Sequence, residues 1–160
     1  MNLQSTVFYT LPLLLCLACA SGNGPSLAVP EAPSGWKRVD LGNGNVSFAL
    51  PAGVEETETQ GTEGVVRQYQ GAELQINVHY GDFASTLAEF QNVSQGVTEW
   101  LEIGGKRARG TSAMIDGRAV DGVYFPDPGP GTERFSLVAV STTPAARAQA
   151  MAVLRSVQFK

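Results

Sequence analysis

The sequence predicts an α+β domain, built on a mainly antiparallel β-sheet that is wet on one face and covered by helix on the other. Three observations point there. Residues 74–80 (LQINVHY) alternate apolar and polar side chains without a break, as a half-buried strand requires. Several other short apolar runs end at Gly, Pro or Asp-Gly, the punctuation of strands joined by turns. A single alanine-rich segment, 144–157, carries a convincing helical start and an apolar face.

The elements follow in order. Val46–Leu50 alternates large apolar with small residues and stops at Pro51. Residues 65–69 (VVRQY) and 74–80 flank Gln70-Gly71-Ala72-Glu73 and read as an antiparallel hairpin. In the second strand Leu74, Ile76, Val78 and Tyr80 share one face, and Gln75, Asn77 and His79 share the other. Phe83, Leu87 and Phe90 recur at helical spacing and predict a short helix over 84–91. Residues 97–103 (VTEWLEI) end at Gly104-Gly105, and a strand from Lys106 to Ile115 ends at Asp116-Gly117. Residues 119–125 (AVDGVYF) run into the loop 126–131 (PDPGPG). Phe135–Ser141 is largely apolar, as expected of a central strand. Thr143 is placed to cap the last helix, with Pro144 at its first position. Ala146, Ala150, Val153, Leu154 and Val157 form its apolar face, while Arg147, Gln149 and Arg155 avoid that face.

The charge distribution separates this domain from what precedes it. All 11 Lys+Arg and all 15 Asp+Glu lie beyond residue 20 of the 160. Residues 7–20 (VFYTLPLLLCLACA) form an apolar run too short for a membrane span, which takes about 20 residues. Followed by small residues, it reads as the core of an export signal over residues 1–20. Two processing routes stay open. Ala18-Cys19-Ala20 fits ordinary cleavage after Ala20, and Leu17-Ala18-Cys19 resembles a bacterial lipoprotein signal that would leave Cys19 acylated. Cys16 departs from the lipoprotein pattern, which prefers an aliphatic residue there, and MNLQST lacks the usual basic residue. Either route removes free thiols from the mature domain. Residues 21–34 (SGNGPSLAVPEAPS) read as a flexible tether, and residues 35–160 as one globular domain. The expected locations are the bacterial periplasm, a membrane reached through lipidated Cys19, or the exterior.

The order of these pieces resembles a known family. Trp36-Lys37-Arg38-Val39, Val46–Pro51 (VSFALP), residues 75–83 (QINVHYGDF), 103–109 (IGGKRAR) and 152–159 (AVLRSVQF) are similar to segments of the PsbP-like group of secreted and lipid-anchored bacterial domains. The resemblance spans residues 36–159. It implies a curved antiparallel sheet with helices packed on it, an α/β/α sandwich shared with a nuclear-transport protein that binds the Ran GTPase. It also implies a non-catalytic accessory or docking role. No functional residue carries over, because the shared segments mark strand and helix ends rather than chemistry, and fold alone does not license function.

The residues themselves exclude most chemistries. A net charge of -4 argues against nucleic acid, whose phosphates require a basic surface. His79 is the only histidine, with no cysteine beside it in the mature domain, so no histidine-based metal site is expected. No G-x-S-x-G elbow accompanies it as a hydrolase base. Glu55, Glu56, Glu58 and Glu63 suit a charged sheet edge or a solvated turn, and no calcium-loop spacing joins them. Gly104-Gly105-Lys106 is not a phosphate loop, since Trp100 and Arg107 stand where glycine and Ser/Thr belong. Trp36, Trp100, Tyr80, Tyr124 and Phe125 are expected in the core. The expectation is therefore a protein that is not an enzyme and holds no cofactor or metal. Its candidate partner surface is the polar face bearing Gln75, Asn77 and His79, with the basic cluster Lys106, Arg107 and Arg109 nearby. The expected partner is an envelope protein. The alternative is a small-molecule or lipid carrier with an apolar pocket between helix and sheet, of about 300 Å3 or more.

Overall fold

The computed structural model describes residues 33–41, 44–57, 65–82, 84–93, 96–130 and 133–160. The segment expected to direct export, with Cys19, nearly all of the expected tether, Glu58, Glu63 and Phe83 lie outside the described residues. Among the described residues there are ten strands and one α-helix. They are β1 (Lys37–Leu41), β2 (Val46–Leu50), β3 (Glu55–Thr57), β4 (Val65–Gln70), β5 (Leu74–Tyr80), β6 (Val97–Ile103), β7 (Lys106–Ile115), β8 (Arg118–Phe125), β9 (Phe135–Ser141), α1 (Pro144–Arg155) and β10 (Gln158–Phe159).

The strands form two antiparallel sheets. The larger has the order β3-β4-β5-β9-β8-β7-β6, and the smaller β1-β2-β10. The apolar strand β9 sits at the middle of the large sheet, between β5 and β8. The pleat carries the β5 pattern across it: Ile76 is paired with Ala139, and Val78 with Leu137. That inner face packs against α1 and the small sheet in one core, with Phe48, Phe125, Phe135 and Val153 all fully enclosed. Phe125, Phe135 and Phe159 meet edge-on or tilted inside it, with centroids 4.8 to 6.3 Å apart.

The helix starts as expected and stops earlier. Thr143 Oγ1 accepts the Ala146 N–H at 3.2 Å, and Pro144 opens the first turn. The sequence pattern runs to Val157, but α1 ends at Arg155 because Ser156 turns the chain. Its hydroxyl donates to Val153 O at 2.7 Å and accepts the Ala49 N–H of β2 at 2.8 Å. Val157 is then buried as coil, and β10 adds to β2.

The expected helix over 84–91 is only a 3-10 turn, Ala88–Asn92. Ser85 Oγ accepts the Leu87 N–H at 3.2 Å and donates to Glu89 at 2.9 Å, a local arrangement that competes with helix. Leu87 takes a left-handed conformation with φ 57° and is wholly buried on the outer face of the sheet. It fits because position 122 is glycine: a Cβ there would lie 3.1 Å from Leu87 Cδ1. Ala84, Leu87 and Tyr124 make a second, small cluster. The outer face is thus partly covered rather than wet throughout.

Candidate functional site

The structure distributes the predicted surface over more than one place. Gln75, Asn77 and His79 stand together on the outer face of β5, all half-buried, and Gln75 Nε2 donates to Asn77 Oδ1 at 3.3 Å. Arg107 and Arg109 occupy the same outer face of β7, whereas alternation puts Lys106 on the inner side. His79 shares a cross-sheet row with Ser136, Tyr124, Arg109 and Trp100. Three strand spacings, about 14 Å, separate His79 from Arg109 along that row. Tyr124 lies between them beneath the Leu87 cover.

Both outer arginines are engaged with rings. Arg107 lies over Trp100, 4.1 Å from the ring centroid, and Arg109 stands 5.6 Å from that of Tyr124. The Nε and Nη2 of Arg109 are buried without hydrogen-bond partners, as are the hydroxyls of Thr111 and Ser136. Among the described residues no group of three or more His, Cys, Asp or Glu is placed to hold a metal ion.

A concavity lies on the opposite face. A partly open groove of about 720 Å3 runs between α1 and the inner side of β6, β7 and β8. It exists because α1 packs over β9, β8, β5 and β2, near the centre of the large sheet, and covers β6 and β7 only in part: Ile103 and Ala108 are buried, while Val97 and Glu99 are exposed. Alternate residues of β6 form one wall: Val97, Glu99, Leu101 and Ile103. One side of α1 forms the other, with Ala148, Met151 and Leu154 between two arginines, Arg147 and Arg155. The two walls run in the same direction. The first turn of α1 meets Ser112, which pairs with Val97. Beyond the last turn, Val157 O comes so close to Gly104 that a Cβ there would lie 2.8 Å from it.

One charged network fixes the groove. Asp121, in the apolar strand β8, is buried with its side chain 1% exposed. Arg147 Nε donates to Asp121 Oδ2 and Nη2 to Oδ1, both at 3.0 Å. Arg147 Nη2 also donates to Ser112 Oγ at 2.7 Å, and that hydroxyl donates to Asp121 Oδ1 at 2.6 Å. The pair is bidentate and charge-assisted. Hydrogen bonds to Asp121, and then its negative charge, hold the Arg147 guanidinium above its ordinary pKa. No local sequence pattern joins Asp121 to Arg147. The signal for the site is Asp121 itself, a lone carboxylate inside an apolar strand, which must find a partner when buried. A second cleft, of about 600 Å3, lies between β1 and β3–β4 and is lined largely by charged side chains, among them the Arg67–Glu56 pair at 3.5 Å.

Trp100 corrects one expectation. It is not core but 54% exposed, on the outer side of β6. Val97, on the groove side of the same strand, is 59% exposed.

With this geometry the chain has the PsbP-like fold. It is similar to the cyanobacterial PsbP protein (CyanoP) of Synechocystis sp. PCC 6803, with TM-score 0.52 and 10% identity over 78% of this chain and 92% of that one. It is also similar to a protein of Bacteroides thetaiotaomicron VPI-5482, with TM-score 0.51 and 14% identity, covering 78% of this chain and 48% of that one. The Ran-binding protein Mog1p of Saccharomyces cerevisiae aligns with TM-score 0.46 and 12% identity, over 78% of this chain and 95% of that chain. No protein-family model matches the chain. No curated protein matches it by sequence.

Proposed function

We propose that this chain is a non-catalytic accessory protein of the cell envelope that docks a partner protein in the groove between α1 and β6. The observation that carries the proposal is the groove: a trough with an apolar middle and charged ends, beside the edge strand that bears Val97 and Trp100. Export is part of the proposal and rests on the apolar run 7–20, with the tether 21–34 behind it. Attachment through Cys19 rests on Leu17-Ala18-Cys19. Intact-mass measurement of the mature amino terminus separates acylated Cys19 from cleavage after Ala20.

The groove is tested by filling it. Ala148 is exposed on α1 and lines the groove, so Ala148→Trp places an indole there without disturbing the core. Ala145→Trp, on the same helix but away from the groove, is the control. Capture from an envelope fraction should lose its specific partner with A148W and keep it with A145W. Equal capture by both variants would sink the proposal.

The carrier reading also draws on this groove, whose volume of about 720 Å3 falls among those of small-molecule sites. It requires a small molecule retained by the purified wild-type protein in native mass spectrometry and absent from A148W.

A further inference from the structure

The large sheet has two edges, and they differ. β3 is three residues long, exposed and charged, which is how natural sheets protect an edge. β6 is seven residues long, regular in register from Val97 to Ile103, and contains neither Pro nor Lys. Among the described residues it pairs with β7 alone. The large hydrophobic side chains exposed among the described residues are Val97, Trp100 and Met114, and all three stand on β6 or β7. Val97 faces the groove and Trp100 the outer side, so one strand laid along β6 would cover both.

We infer that β6 accepts an extended, basic–apolar segment of the partner protein as an eighth strand of the large sheet, with alternate side chains seated in the groove. This rests on the groove being the docking site and names what docks there. The dimensions fit an extended chain. Seven strand residues span about 20 Å, and the twelve of α1, running alongside, about 18 Å. Main-chain hydrogen bonds to a sheet edge supply affinity, and the groove reads every second side chain.

The charges choose the occupant. Glu99 and Glu102 are exposed on β6 and form no ion pair among the described residues. They project to opposite faces, so a neighbouring strand meets one carboxylate on each side. Arg147 is already held by Asp121, and Arg155 sits in the last turn, where it complements the helix dipole. A second copy of β6 would bring four carboxylates to one seam, which disfavours self-pairing. A segment alternating Val or Ile with Lys or Arg puts its apolar side chains in the groove, on Val97 and Leu101, and its basic ones on the outer face, beside Glu102.

The test uses synthetic nine-residue peptides of alternating Val and Lys on the wild-type chain. Binding is read by fluorescence anisotropy, and amide hydrogen exchange is followed over residues 97–103. The Val–Lys peptide should bind and slow exchange in β6. A Val–Glu peptide should bind at least about tenfold more weakly, because like charges then face each other. The double variant Glu99→Lys/Glu102→Lys should reverse that preference. Methylating alternate peptide nitrogens should abolish binding for one set of amides and spare the other, since only one edge of a strand meets β6. Equal binding of both methylated sets, or no added protection in β6, overturns strand addition. If A148W still removes the captured partner in that case, groove docking stands without it. Concentration-dependent dimerisation that protects β6 would overturn the heterologous partner in favour of a second copy.

Discussion

Removing Arg147 should expose how the groove is held in shape. Arg147→Ala deletes three hydrogen bonds and leaves Ser112 as the one donor recorded to a carboxylate that is 1% exposed. Breaking a fully buried pair costs about 3–5 kcal/mol. Here the Arg147 side chain is 42% exposed, so water screens the guanidinium and enters once it is gone. The discounted cost is about 2 kcal/mol. Asp121→Asn keeps the shape and a partial acceptor and should cost about 1 kcal/mol. The double variant should lose clearly less than the two single losses together, giving a coupling of about 1–1.5 kcal/mol. Urea unfolding of the four proteins, with m-values compared to confirm a common unfolded state, measures it. A coupling within about 0.3 kcal/mol of zero would refute the network as the pin between α1 and β8.

Three other substitutions test neighbouring parts of the fold. Ser156→Ala should destabilise by about 1–3 kcal/mol, because it strands the buried Ala49 N–H of β2; urea midpoints measure this. Gly122→Ala should cost about 1 kcal/mol by overpacking, since the new methyl meets Leu87 at 3.1 Å and Thr111 at 3.3 Å; thermal unfolding reads it, and methyl NMR locates the shift at Leu87. Tyr69→Phe should change stability by no more than about 1 kcal/mol, because the buried hydroxyl makes no well-formed hydrogen bond, Arg67 being the donor near it, and the edge-on contact with Phe48 survives. Burial raises the Tyr69 pKa above its ordinary 10.0, with nearby Arg67 opposing in part. The neutral ring is therefore favoured in the folded state, and its contribution is whole below pH 10 and lost as pH rises through the folded value. The stability gap between Tyr69→Phe and wild type should widen above pH 10; a constant gap would exclude burial of the phenol as the cause.

The strands and the helix were legible where one local pattern dominates. β5 alternates, β9 is apolar throughout, and Thr143-Pro144 announces α1. β3 was legible only as a charged edge or a turn, because Glu-Glu-Thr is fully exposed and is held by pairing with β4. β10 was hidden in what reads as the tail of a helix, since a hydroxyl contact from Ser156 to β2 decides the break. The 84–91 helix failed for a related reason: Leu87 binds over Gly122, and helical spacing cannot report that pocket. The groove depends on where α1 lands across the sheet, which no window of sequence contains. Its residues were visible singly, as Arg147 off the apolar helix face and Asp121 in an apolar strand, but nothing local joins positions 26 residues apart.

The placement of α1 links these failures to the surface that matters. A helix seated over β9 and β8 buries the centre of a seven-stranded sheet, but its width cannot reach both edges. The small sheet covers part of the inner face, and β3 shields its own edge by being short and charged. Among the described residues no strand or long helix covers the opposite edge, which only the 3-10 turn 88–92 approaches. A stable monomer would be expected to place lysine, proline or a bulge there, and β6 instead presents Val97 at its start and Trp100 between two glutamates. Burying those two side chains on a docked strand gains free energy that the described residues leave unclaimed. The Asp121–Arg147 pair meanwhile keeps α1 from sliding over the gap. A helix pinned beside an unprotected edge is a preorganised seat, in which a bound strand orders little besides itself.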